Sequence, residues 1–274
     1  MGHLSNQVPP RMRIGAVLIR TFAPMQIIPL SEGAFTIDKT KRFVPFDLDK
    51  DDLQQRPAGS LLVEVQPFCV VTTEDVLVID TGLGFSNDGE LQIHSNLRSA
   101  GIDPAQVTKV LMSHLHKDHA GGIAGDCAEA AQTPQHLSFP NATYYVQKRE
   151  LEYAFEKGPT SYRSEELECL RTSSQVVFLD GDGVLDGYIR YAITGAHCPW
   201  HQVFWIVDGG ETVFYGGDVA PQLQQMKSRF VAKYDYDGKK AMELRQQWWE
   251  KGREEGWTFL FYHDVKTPTW RDSH

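Results

Sequence analysis

Residues 114–119 read His-Leu-His-Lys-Asp-His, and no other run constrains the chain as much. It sets His114, His116, Asp118 and His119 within six residues. Imidazole and carboxylate together suit zinc or another first-row divalent ion, such as manganese, iron or cobalt. Upstream, Val107-Thr108-Lys109-Val110-Leu111-Met112 is apolar and β-branched, as a buried strand requires. Downstream, Ala120-Gly121-Gly122 lets the backbone turn closely before the next element. A tight loop leaving that strand can turn His114 and His116 one way and Asp118 and His119 the other. One short segment can then serve two adjacent metal ions, as two-metal hydrolysis requires.

Other strand ends repeat the pattern. DVLVIDTG over 75–82 reads as a buried strand with Asp80 at its carboxyl end. There it is either a turn residue or the acceptor for the free N–H of a ligating imidazole. His197 follows the apolar Tyr191-Ala192-Ile193, Asp218 follows Phe214-Tyr215-Gly216-Gly217, and His263 follows Leu260-Phe261-Tyr262. A lone histidine after a strand is usually a hydrogen-bonded structural residue. Three such ends downstream of the first motif favour a shared site.

With these residues the chain resembles the metallo-β-lactamase superfamily, whose signature is His-x-His-x-Asp-His followed by a distant His, an Asp and a last His. The similarity runs from about Leu61 to His263. It implies an α/β fold, the four-layer αββα sandwich, with the metal site at the edge between the two sheets. It also implies that His114, His116 and His197 hold one metal ion and that Asp118, His119 and His263 hold a second. Asp218 would bridge them. Two zinc ions, or other first-row divalent metals, would then generate a bridging hydroxide that cleaves a small ester-like substrate. Asp118 would also shuttle the proton to the leaving group, as the catalytic residue.

Departures from the family pattern narrow the choice. Asp218 argues against β-lactam hydrolysis, and His116 stands where flavodiiron proteins carry Glu. GGDVAPQLQQMK, Tyr234-Asp235-Tyr236-Asp237 and FLFYHD resemble the lactonase and methyl-parathion-hydrolase branches. Lactones are the leading expectation, with phosphotriesters and thioesters behind them. An iron-dependent oxidoreductase of the sulfur-dioxygenase kind is the alternative of another class. Pro221 stands where quorum-quenching lactonases often place a substrate-contacting Tyr. Trp200 replaces a glycine of the family's Thr-Pro-Gly-His repeat and would either wall the pocket or pack in the core. The glyoxalase II branch adds a helical carboxyl-terminal domain, which the few residues after His263 do not supply.

Composition sets limits. The 274 residues are ample for one large core and fit a single two-sheet domain over 1–274, with strands and a loop in residues 1–60 covering the site. Phe22, Met25 and Phe35 would either line the pocket or pack the sheet edge. A net charge of −9 and a pI near 5.6 argue against a nucleic-acid surface. Cys69, Cys127, Cys169 and Cys198 form no CxxC pair, and Cys198 is not expected to ligate, because the family's ligand set is already complete. No signal segment or membrane-length apolar run is present, so the expected setting is the cytoplasm, with no membrane partner. The resemblance alone raises a homodimer. The partner expected from the chemistry is a small ester or lactone.

Strands are expected near Met12–Ile19, Gly33–Ile37, Leu61–Gln66, Phe68–Thr73, Val76–Ile79, Thr143–Val146, Val176–Leu179, Tyr188–Ile193, Val203–Val207 and Thr212–Tyr215. Helices are expected over Gln92–Ala100, Lys148–Glu156 and from an Asp237 cap to about Glu255. Residues 39–59 read as a polar loop, and 158–174 as a loop with a short helix.

Overall fold

Phe68-Cys69-Val70 and Phe204-Trp205-Ile206 are apolar on both faces of their strands, so each strand needs cover on both sides. The computed structural model, which describes residues 24–125 and 136–272, provides that cover in four layers. One six-stranded sheet holds, in spatial order, Gln26–Pro29, Phe68–Val71, Val76–Ile79, Lys109–Leu111, Thr143–Gln147 and Val176–Leu179. The other holds Gly183–Leu185, Ile189–Ile193, Gln202–Asp208, Glu211–Tyr215, Thr258–Leu260 and Thr269–Trp270. The strand expected at Met12–Ile19, together with Phe22 and Cys127, lies outside the described residues.

Alternation along the strands sorts their side chains into three cores. Phe68, Val70, Leu77 and Ile79 of the first sheet meet Phe204, Ile206, Val213 and Leu260 of the second in one inter-sheet cluster. On the first sheet's outer face, Cys69, Val78, Val110 and Tyr144 pack with Ile93 and Leu97 of helix Gln92–Ser99 and with Leu151 and Ala154 of helix Lys148–Lys157. On the second sheet's outer face, Val203, Trp205, Phe214 and Phe259 pack with Ala241 and Trp248 of helix Gly238–Glu254. Each Val, Leu, Ile or Phe among them contributes about 1.5–3 kcal/mol when fully buried. The product is the αββα sandwich.

The long helix starts where expected, with the Asp237 side chain accepting from the Lys240 N–H at 3.0 Å. The loop expected over 39–59 contains the strand Phe43–Pro45, paired with Gly33–Ile37, which in turn pairs with Leu61–Val65. Its Phe43 is half-buried and packs against the inter-sheet cluster, which outweighs the polar character of its neighbours. The expected short helix in 158–174 is Glu168–Thr172, preceded by a 3-10 turn at Ser164–Leu167. Among the described residues, no helix is long and apolar enough to cross a membrane.

Strands Val76–Ile79 and Lys109–Leu111 run parallel with Ile79 opposite Leu111, and in the second sheet Tyr215 lies opposite Leu260. All four therefore end at the same rim of the sandwich. The two sheets are tied there by the Gln202 N–H, which donates to the Ser113 carbonyl at 2.9 Å.

Candidate metal centre

Six of the seven expected ligands lie just beyond the ends of Lys109–Leu111, Glu211–Tyr215 and Thr258–Leu260, and the seventh, His197, follows strand Ile189–Ile193 of the second sheet. Lys117–Ala120 forms a single helical turn capped by His116, which separates Asp118 and His119 from His114 and His116. A loop was expected there, and the turn of helix sorts the side chains in the expected two directions. His114 and His119 are fully buried; His197, His263, Asp118 and Asp218 are nearly so, and His116 is half-buried.

The ligand atoms fall into two groups. In the first, His116 Nδ1 lies 3.0 Å from His114 Nε2 and 3.1 Å from His197 Nε2. Asp218 Oδ2 closes this group at 3.2 Å from His197 Nε2 and 3.9 Å from His114 Nε2. In the second, Asp118 Oδ2 lies 3.5 Å from His263 Nε2 and 3.8 Å from His119 Nε2. The other oxygen of Asp218 reaches this group, at 3.0 Å from His119 Nε2 and 3.1 Å from His263 Nε2. All seven expected residues are brought together, with Asp218 between the two groups.

Hydrogen bonds behind the rings fix which nitrogens face inward. His263 Nδ1 lies 2.6 Å from the Glu64 carbonyl, which can only accept, so the proton is on Nδ1. By the same logic His119 Nδ1 donates to Asp80 at 2.7 Å and His197 Nδ1 to Asp235 at 2.9 Å. Ser113 gives its hydroxyl proton to Asp80 at 2.6 Å and so accepts from His114 Nδ1 at 3.0 Å. Four Nε2 lone pairs therefore converge, the arrangement that orients imidazoles toward a cation.

Whether a metal fits can be read from what is left unpaired. His119 Nε2 and Asp218 Oδ1 are buried without a hydrogen-bond partner. Lone pairs and carboxylates packed at these separations repel unless positive charge lies among them. Tetrahedral ligands bonded at 2.0–2.1 Å stand about 3.3–3.4 Å apart, near the observed spacings. The donor set fits two divalent ions. Burial and the neighbouring rings of His119 and His116 hold the His114 imidazole well below its ordinary pKa; burial and His197 do the same to His116. Both are thus neutral, the form that ligates. Asp218, although burial opposes it, is held well below the usual carboxylate range by His119, His263 and His197.

The supporting shell was only partly visible in the sequence. Asp80 takes the acceptor role, with positive φ of 56° and further bonds from the Ser113 N–H at 2.7 Å and the Tyr215 hydroxyl at 2.5 Å. Tyr262 stacks on His119 with centroids 3.9 Å apart and donates to the Asp118 carbonyl at 2.5 Å. Both tyrosines support the ligands from behind. Asp235, the Glu64 carbonyl and His201, whose Nε2 accepts from the Asp218 N–H at 3.1 Å, were not anticipated. For His201 the repeated Thr-Gly-Ala-His and Cys-Pro-Trp-His was a usable signal.

A cavity of about 1040 Å³ opens over the centre. His116, Asp118, His197, Asp218 and His263 form its floor, and Ile37, Phe43, Leu62, Val63, Tyr234 and Pro221 are among its walls. Met25 and Phe35 do not line it; both pack with the inter-sheet cluster, Phe35 turned inward by alternation along Gly33–Ile37 and Met25 just ahead of strand Gln26–Pro29. Trp200 does not line it either and lies half-buried beneath the Arg149 guanidinium, 4.9 Å from the ring centroid. The Cys198 thiol donates to Glu150 at 3.3 Å and belongs to neither ligand group.

The family profile of the Metallo-beta-lactamase superfamily matches residues 63–263. An N-acyl homoserine lactonase AttM from Azorhizobium caulinodans is 33% identical over 119 residues, 41% of this chain and 40% of that protein. The match thus spans about two fifths of that relative's length. A solved structure of a probable metal-dependent hydrolase from Staphylococcus aureus superimposes with a TM-score of 0.73 at 20% identity, over 91% of this chain and 93% of that one. AidC, a dizinc quorum-quenching lactonase, superimposes with a TM-score of 0.66 at 17% identity, over 90% of each chain. At such identities the likeness speaks to the fold.

Proposed function

The chain belongs to the metallo-β-lactamase superfamily, and from that premise we propose that it is a dinuclear metal-dependent hydrolase of small ester-like substrates, lactones first. The observation that carries the reading is Asp218, one oxygen of which faces His114 and His197 while the other faces His119 and His263. His114, His116 and His197 would hold one ion, Asp118, His119 and His263 the other, and Asp218 both. Two zinc ions bound there would supply Lewis acidity and a hydroxide nucleophile near neutral pH. That AidC is described as a dizinc lactonase supports zinc, and the AttM relative supports a lactone.

The protein's own groups supply the rest. Asp118 has its side chain at the cavity floor and its backbone pinned by Tyr262, which supports assigning its carboxylate the transfer of a proton to the departing oxygen. The apolar walls Ile37, Phe43, Leu62 and Val63 exclude water and offer surface to an acyl portion. Pro221 brings no phenol to the cavity, whereas Tyr234 lines it 6.3 Å from the His197 ring and can contact the substrate carbonyl instead.

The test is proton release by the zinc-reconstituted protein on short- and long-chain lactones, with His116→Ala alongside. Turnover that disappears in the variant supports the reading. Lactones left intact while phosphotriesters or thioesters are cleaved would move the substrate class, and no turnover on any of the three would overturn hydrolysis.

A further inference from the structure

The walls of the cavity carry a charge pattern that ester hydrolysis does not require. Five lysines line it: Lys39, Lys41, Lys117, Lys157 and Lys233. The chain as a whole is acidic, at −9, so this is a local reversal of sign. Among the described residues none of the five has a carboxylate within ion-pair distance. Lys117 reaches only the Thr160 carbonyl, at 3.4 Å, and Lys157 lies over the Tyr153 ring at 5.0 Å.

The four aspartates of the same cavity are engaged elsewhere. Asp118 and Asp218 face the histidines of the centre. Asp235 accepts from His197, and Asp38 closes a turn by accepting from the Thr40 N–H at 2.8 Å and its hydroxyl at 2.6 Å. None of the five lysines is therefore ion-paired, although Asp38 acts on Lys39 and Asp118 on Lys117 at longer range. Lys41 and Lys117 are the two that sit in the partly buried part of a recess with apolar walls, where a charge acts more strongly than on an open surface.

Two of them matter most. Lys41, on the turn between strands Gly33–Ile37 and Phe43–Pro45, and Lys117, beside His116, are both half-buried. They are far apart in the chain, yet both line the same cavity as His116. Lys41 also holds a positive φ of 58°, a conformation uncommon for a side-chain-bearing residue.

We propose that the substrate carries a second, anionic group, a carboxylate or phosphate remote from the bond that is cleaved, and that Lys41 and Lys117 receive it at the cavity wall. This rests on the hydrolase reading for the floor of the site. It adds a specificity that a neutral acyl chain would not use.

Calorimetric titration of the zinc-loaded full chain tests it without turnover. Matched pairs are hexanoate with adipate and octanoate with suberate, and the corresponding ω-phosphono acids tell a phosphate-like preference from a carboxylate-like one. The expected result is that, at one length or more, the doubly anionic member binds about tenfold tighter at low salt. That ratio falls to about twofold in Lys41→Met and is kept in Lys41→Arg, which separates charge from folding. Equal affinities at every length, or a ratio unchanged in Lys41→Met, overturn the inference. Hydrolysis of 4-nitrophenyl hexanoate and its ω-carboxylate analogue is followed in parallel. Failure of both esters counts against the hydrolase reading, while the affinity ratio still decides this one.

Discussion

Asp80 lines no part of the cavity, yet four groups donate to it: the Ser113 N–H and hydroxyl, the Tyr215 hydroxyl and His119 Nδ1. It fixes the tautomer of His119 and thereby aims Nε2 at the centre. Asp80→Asn keeps the shape but turns one acceptor oxygen into a donor facing donors. Zinc affinity should fall about 10–100-fold, read by competition with a chromophoric chelator. An unchanged affinity would mean that His119 needs no such support. Glu32 poses a different residue-scale question. Its Oε2 accepts from the Leu83 N–H at 2.6 Å, Oε1 has no partner, and burial raises its pKa from the ordinary 4.5 to about 7. A raised carboxyl pKa means that the folded state holds its proton longer than the unfolded one. The associated stability is complete below about pH 4.5 and is lost as pH climbs through 7. Glu32→Gln cannot ionise. From pH 5 to pH 8 its unfolding free energy should therefore gain on that of the parent, by up to roughly 3 kcal/mol, in paired urea titrations.

Between elements, backbone passes very close where the loop after strand Val76–Ile79 meets the metal-loop helix. A Cβ at Gly84 would stand 2.1 Å from the Gly121 carbonyl oxygen, and Gly84 also has a φ of 76°. Gly84→Ala should cost about 2–4 kcal/mol through strain plus overlap, measured by thermal unfolding, and should loosen metal binding because Gly121 ends the helix of Asp118 and His119. Much at this scale was legible in the sequence. Strands Val76–Ile79 and Val176–Leu179 and the capped helix Gly238–Glu254 declare themselves through apolar runs, periodicity and an Asp cap, all local signals. Strands Gln26–Pro29 and Gly183–Leu185 were not foreseen, since each is short and exists through its pairing with Phe68–Val71 and Ile189–Ile193. The site divides likewise. The expected ligands announce themselves at strand ends, whereas Asp235 meets His197 across 38 positions and Glu64 meets His263 across 199, which no local pattern encodes.

For the molecule as a whole, ions at the centre would act as a rivet between the sheets. His114, His116, Asp118 and His119 follow a strand of the first sheet, while His197, Asp218 and His263 follow strands of the second. Among the described residues no salt bridge to Lys or Arg neutralises Asp118 or Asp218; their close partners are imidazoles. Without metal ions, and although burial opposes it, Asp218 and Asp118 hold the His119 and His263 imidazoles above their ordinary pKa, so protons stand in for the ions but tie no ligands of the two sheets to a common atom. Ions that bind only the folded chain stabilise it by about 4 kcal/mol at a thousandfold excess over their dissociation constant. At roughly 2–4 °C per kcal/mol for a large domain, chelation should lower the melting temperature by about 10 °C, and zinc should restore it. Because the rivet joins two sheets, protection from hydrogen exchange should fall together in strands Lys109–Leu111 and Glu211–Tyr215 on chelation. A loss confined to one of them would mean that the ions support a loop rather than the junction. A melting temperature indifferent to chelator would mean that the folded chain binds no metal there.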